Sequence, residues 1–146
     1  MFGVCDIDAG KNFTSFKAEL NKMGYDQQYK SNETLALAIF YKRAKFELVR
    51  TAYYAFEERP SGMQNQSDNE AVSTISFDGA QEMLIWCHLR TTTNKTNKKE
   101  FVFLQTHIFK DVSFKLTQVN KYLAKKMQTT PNLPVIVAGN INREPN

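Results

Sequence analysis

Two segments of the 146-residue chain, LALAIFY at 35–41 and VIVA at 135–138, are apolar at every position. A strand turns successive side chains to opposite faces, so a run without polar alternation requires cover on both faces. Everything else in the chain has to be arranged around that demand. The length allows one domain rather than two. Hydrophobic residues make up 42% and charged residues 23%, with eleven Phe, which is core material enough to exclude wholesale disorder. No apolar run reaches the roughly 18 residues of a membrane span; the longest, 133–139, is strand-sized. The opening residues MFGVCDIDAG carry two acids and no basic stretch, which excludes a secretory signal or Arg-rich transit peptide in the chain as it stands.

Nineteen basic residues against fifteen acidic give a net charge of +4, a mild bias that permits an anionic partner without requiring one. The dense basic cluster, Lys95, Lys98 and Lys99, sits among Thr and Asn and reads as a solvated turn. Cys5 and Cys87 fit no metal-ligand spacing and lie in apolar segments. They read as buried free thiols of a reducing, intracellular compartment, with a disulfide as the other possibility.

Along the chain, 4–7 is a short strand ended by acids and Gly10. Phe13, Phe16, Leu20 and Met23 recur at helical spacing and Gly24 supplies a stop, which predicts a helix over 12–23. Residues 35–41 form a strand, and Lys42-Arg43-Ala44 turns the chain into a second strand at 46–49, most simply as a hairpin. The polar stretch 57–69, with Pro60 and Gly62, reads as a long loop. Strands at 83–89 and 101–105 flank the turn at 91–99. Val112, Leu116, Val119, Leu123 and Met127 then mark a second amphipathic helix, with Asp111 placed to cap it. The final strand, 135–138, is expected to be buried. The order β-α-β-β-β-β-α-β predicts an α/β (α+β) fold, a mixed sheet with both helices on one face. Two helices on one face leave the other face of the apolar strands bare. Its cover has to come from a second copy, from another chain or from further sequence.

Three segments deliver polar side chains at strand ends, where sheet proteins commonly build sites. They are Val4-Cys5-Asp6-Ile7-Asp8, then FVFLQTH ending in Thr106-His107, then LPVIVAGNINREP with Asn140 and Asn142 after Gly139. Each has a structural reading beside the chemical one. His107 at a strand end also serves as a hydrogen-bonded structural histidine, and His88, beside Trp86 and Cys87, reads as structural. Asn140 and Asn142 can hold a turn by bonding their own backbone. Asp6 and Asp8 can cap the loop that follows them. The aromatics between Phe40 and Phe56 have the spacing of ordinary strand packing rather than of a base-stacking platform.

In this order, the segments CDI at 5–7, FKAELNKMGY at 16–25, AIFYKRAKFELV at 38–49, LQTH at 104–107, QVNKYL at 118–123 and the stretch 134–145 resemble the endonuclease/exonuclease/phosphatase superfamily, in its deadenylase and nocturnin-like branch. The resemblance implies about half of a four-layer α/β sandwich in a single truncated domain, and a family chemistry of Mg²⁺-dependent phosphate-ester cleavage. In such a site a carboxylate anchors the metal, which polarises a phosphoryl oxygen and stabilises the leaving oxygen. His107 and Asn142 stand where the family has His and Asn. Asp6 stands at the metal-binding Glu position and Asn140 at the water-orienting Asp position. The family's early Asn-bearing strand and its late Asp and His have no counterpart in the sequence, and Phe109 and Asp111 stand where nocturnin-like members carry positive residues.

These departures count against catalysis. Mg²⁺ takes oxygen ligands at about 2.0–2.1 Å in near-octahedral geometry. Shortening Glu to Asp draws the carboxylate back by more than about 1 Å, and a displacement of that order can cost roughly 10²-fold. Asn140 neither accepts a proton nor carries charge. The expectation is a catalytically inactive relative, with no metal or cofactor, acting as a structural or adaptor subunit whose open sheet face is covered by other protein subunits or by self-association. The alternative is a Mg²⁺-dependent nuclease or phosphatase half-domain completed by another chain. A weaker alternative is RNA binding through Lys42, Arg43, Lys45 and the 95–99 turn.

Overall fold

The computed structural model describes residues 1–8, 10–31, 35–56, 82–93, 96–108, 112–127 and 133–141, with the side chains of 6–8 and 35 excepted. The elements run β1 (Phe2–Asp8), α1 (Lys11–Lys22), β2 (Tyr25–Ser31), β3 (Leu35–Lys42), β4 (Phe46–Ala55), β5 (Met83–Thr91), β6 (Glu100–Ile108), α2 (Val112–Met127) and β7 (Val135–Ile141). The α/β class holds, and both helices fall within a residue of where their periodicity put them. The polar stretch 57–69 and the capping residue Asp111 lie outside the described residues.

The strands divide into two sheets, β1-β3-β2 and β4-β5-β6-β7. All neighbours are antiparallel except β6 and β7, which are parallel. This resolves the problem of the doubly apolar strand. In β3 the odd residues Leu37, Ile39 and Tyr41 face the second sheet, where they meet Met83, Ile85, Cys87 and Leu89 of β5 and Phe103 of β6. The even residues Ala36, Ala38 and Phe40 face outward and are covered by Phe13 and Leu20 of α1. Likewise Leu84 and Trp86 of β5, with Val102, Leu104 and Ile108 of β6, pack beneath Val119 of α2. The layers are therefore α1, first sheet, second sheet, α2. The expectation of both helices on one face is corrected: each sheet keeps one helix on its outer face, and the sheets cover one another. Each fully buried aliphatic in these layers contributes about 1.5–3 kcal/mol.

Three further expectations are corrected. The strands β3 and β4 do not form a hairpin. Residues 43–45 carry the chain from one sheet to the other, so β4 pairs with β5 while β3 sits between β1 and β2. Second, β2 is a strand that apolar patterning misses, because YDQQYKS is polar and lies at an edge, half-buried throughout except for Tyr29. Third, β7 is not buried. It is the edge of the second sheet, with Val135, Ile136, Val137 and Ile141 all more than a third exposed.

Gly24 ends α1 with φ +83°, a conformation L side chains rarely adopt. Its neighbour Arg43 reaches back to the helix C-terminus, Nη2 donating to the carbonyls of Asn21 at 2.9 Å and Tyr25 at 3.1 Å.

Candidate functional site

Strand direction gathers the candidate residues at one pole. The strand β3 hands over to β4 at its Lys42 end, so its Leu35 end, and with it the Asp8 end of antiparallel β1, lies at the opposite pole. There β5 begins, and β6 and β7 end. His107 stands in register with Met83 on one side and with Asn140 on the other. In a parallel pair, registered residues share a face. His107 and Asn140 fall on the side facing the first sheet, the parity of Phe103 and Ala138, and both are half-buried.

Asp6 approaches the same pole on β1. The two sheets touch where Gly3 meets Gln105, a contact so close that a Cβ on Gly3 would lie 1.8 Å from Gln105 Oε1. From that contact β1 and β6 run in the same direction, with Asp6 three residues and His107 two residues farther on. Three of the four residues singled out by sequence, Asp6, His107 and Asn140, thus converge by backbone placement. Asn142 lies outside the described residues.

Sequence reading missed Gln105. It is 3% exposed, and its Oε1 accepts no hydrogen bond among the described residues. The signal was present: an amide at the inward parity of an otherwise apolar strand, two residues before His107. Beside it, buried Thr106 donates from Oγ1 to the Met83 carbonyl at 3.1 Å, tying the ends of β5 and β6 together. On the α2 side of the same pole lies a fully buried ion pair, Lys115 of α2 with Glu82 just before β5.

The remaining candidates take structural places. His88 is buried and its Nε2 lies 2.6 Å from Glu100 Oε2, while Arg90 Nε donates to Glu100 Oε1 at 2.7 Å. These two hydrogen bonds, Arg90 first and His88 second, hold the Glu100 carboxyl below its ordinary range. Cys87 is buried against Thr51, and desolvation pushes its thiol up to about 12; Cys5 is half-buried, and neither cysteine is in a disulfide. The basic turns lie at the pole away from His107, where the Thr92 N–H donates to the Lys45 carbonyl. Much of their charge has a nearby partner. Arg43 lies 3.5 Å from Asp26, Lys98 lies 3.8 Å from Glu47, and Lys42 stands over the Tyr25 ring.

No family sequence model matches the chain, and no curated protein sequence matches it. Solved structures do. The catalytic domain of human Nocturnin superposes with a TM-score of 0.69 at 18% identity, over 98% of this chain and 51% of that one. An endonuclease/exonuclease/phosphatase family protein from Bacteroides thetaiotaomicron gives a TM-score of 0.62 at 20% identity, over 94% of this chain and 47% of that one. ANGEL2, a 2′,3′-cyclic phosphatase, gives 0.66 at 19% identity, over 98% of this chain and 39% of that one. The chain spans about half or less of the length of each. Two stacked sheets, each backed by one helix, with a His-bearing strand parallel to a Gly-Asn strand, are thus about half of the endonuclease/exonuclease/phosphatase fold.

Proposed function

We propose that this chain carries a non-catalytic version of the part of that fold it spans, and works as a structural or adaptor subunit. The observation that carries the reading is the registered pair His107–Asn140. At the place beside the strand-end His where the resemblance puts a water-orienting carboxylate, this chain has a neutral amide. An amide cannot take a proton from an attacking water or stabilise charge on it as a carboxylate does. The donor chemistry also fits magnesium poorly. A hard cation takes several carboxylate and carbonyl oxygens, whereas of the three residues at this pole Asp6 alone carries a carboxylate, one methylene shorter than Glu, His107 offers an imidazole and Asn140 a neutral amide.

The test is turnover of oligo(A) and of small nucleotide phosphates by the purified chain with Mg²⁺. None is expected. Turnover that depends on the metal and vanishes in His107→Ala overturns the reading.

One observation favours a second reading, an enzyme half completed by another polypeptide: the backbone places Asp6 at the same pole as His107 and Asn140. It requires the same assay to become positive on adding a chain that supplies further carboxylates.

A further inference from the structure

The contact of Gly3 with Gln105 also decides which residues meet one step farther along the two strands. Both take the inward parity, Gly3 in register with Ile39 and Gln105 alternating with Phe103, and β1 and β6 run in the same direction. The next inward residue of β1 is Cys5, which packs against the core cluster between the sheets. The next inward residue of β6 is His107. A thiol and an imidazole are thus placed opposite each other from two sheets, both half-buried, where β1 comes within 8 Å of β6 and of β7 between Cα atoms. Asn140 stands beside His107 in parallel register. The backbone of β1 is irregular at this point. Val4 pairs with Ala38 and Ile7 with Ala36, so Cys5 and Asp6 together stand opposite the single residue Leu37. Bulges of this kind gather beside functional sites, where they re-aim a strand.

An independent feature calls for a bound species here. Gln105 is 3% exposed, its Oε1 accepts no hydrogen bond among the described residues, and that oxygen is directed across the gap at β1. A buried acceptor needs a donor, and the protein groups one step away are the Cys5–His107 pair. The geometry points to a zinc site between the two sheets, with Cys5 Sγ and a ring nitrogen of His107 as ligands and a metal-bound water donating to Gln105 Oε1. Asp6, the other residue of the bulge, brings a carboxylate-bearing position to the same place. Thiolate and imidazole hold Zn²⁺ at about 2.3 Å and about 2.0–2.1 Å, whereas Mg²⁺ takes oxygen. The donors that suit magnesium poorly therefore suit the softer ion. Binding releases the Cys5 thiol proton to solvent. The Asn140 amide oxygen supplies an acceptor for the remaining imidazole N–H, the usual support of a metal-bound histidine. No spacing in the sequence announces such a site, because its ligands come from different sheets. Zinc at this pole is independent of the non-catalytic reading, since the ion is read by binding and the activity by turnover.

The test uses the full 146-residue chain, reduced and stripped of metal, and titrated with Co²⁺ as a spectroscopic stand-in for Zn²⁺. A single equivalent is expected to give the near-ultraviolet thiolate-to-cobalt band. Zn²⁺ should displace it and excess Mg²⁺ should not. Cys5→Ala is expected to abolish the band and Cys87→Ala to keep it. Loss of an outer partner of a metal ligand costs about 10–100-fold in affinity, so His107→Ala, which removes a ligand itself, is expected to weaken cobalt binding at least about 100-fold. Zn²⁺ is also expected to shield Cys5 of the wild type from iodoacetamide, mapped by peptide mass, a readout that needs no variant to fold. Absence of the band, a band that follows Cys87 instead of Cys5, unchanged affinity in His107→Ala, displacement of cobalt by Mg²⁺, or alkylation of Cys5 indifferent to zinc each overturns the proposal. Phosphoesterase assay of the zinc-loaded chain bears on the non-catalytic reading alone.

Discussion

Substituting Gly3 by Ala tests the contact that sets the distance between the sheets. The added methyl would stand 1.8 Å from Gln105 Oε1, 2.5 Å from Cδ and 3.1 Å from Cγ, so the whole amide has to move. Gln105 is 3% exposed and has little room to turn. Overpacking of this kind costs typically about 1–3 kcal/mol. No hydrogen bond to Oε1 is lost in moving it, which puts the expected cost near the middle of that range, about 2 kcal/mol. Gln105→Ala alone is expected to be nearly neutral. It forfeits about 0.8 kcal/mol for each buried methylene but removes a buried acceptor whose unmet desolvation is worth about 1–3 kcal/mol. In the double variant the new methyl occupies the vacated space, and alanine favours the strand over glycine by about 0.5–1 kcal/mol. The double variant should therefore match or exceed the wild type, a coupling of about 2 kcal/mol. Urea titration reads this directly. With a slope of about 1–3 kcal/mol per molar, Gly3→Ala lowers the midpoint by about 1 M, and the loss disappears in the Gln105→Ala background. Strict additivity would show that the two residues do not share one space, and the derived alignment of β1 with β6 would fall with it.

Gly139→Ala is expected to be among the costliest single changes, because its Cβ would sit 2.1 Å from the Thr106 carbonyl oxygen at φ +155°. Gly24→Ala meets nothing within 4 Å and should lose only the about 1–2 kcal/mol of a left-handed residue, so thermal melts of the pair separate steric from conformational cost. Lys115→Met removes the ion-pair partner of the buried Glu82 carboxylate and should cost about 3–5 kcal/mol, with most of it restored by adding Glu82→Leu; denaturant midpoints decide. The Glu100 carboxyl is held below its unfolded value, so the folded state binds fewer protons in that window. The stabilisation is full above the unfolded pKa and is lost as pH falls through the folded one. The stability gap between wild type and Glu100→Gln should accordingly close on acidification, and a gap that widens refutes the assignment.

The periodicity of Phe13, Phe16 and Leu20, and of Val112, Val119 and Leu123, located the helices because each buries one stripe. The continuous apolar runs of β3 and β5 were legible for the same reason, that burial on both faces leaves no polar alternation. What the local pattern could not hold was which strand pairs with which. A turn at residues 43–45 reads identically whether it folds β4 back on β3 or sends it to another sheet. The decision is made by distant partners, β1 and β2 for one and β5 for the other. The strand β2 escaped because Tyr25, Tyr29 and their polar neighbours need only an edge. The meeting of His107 with Asn140 was half legible. Two strand-end motifs marked the residues, but only the parallel register of β6 and β7 puts them side by side. Gln105 stood out as an amide at an inward position, but what it does there is set by the glycine opposite, which no local pattern announces.

The two central strands are sealed by the chain itself, β3 between α1 and the second sheet and β5 between the first sheet and α2. Exposed apolar side chains gather on β7, at Val135, Ile136, Val137 and Ile141. That surface and the candidate site are not independent, because Asn140 belongs to β7. Whatever docks there becomes the next neighbour of the His107–Asn140 pair. A chain that completed the site there would have to bring an acid to the position opposite Asn140.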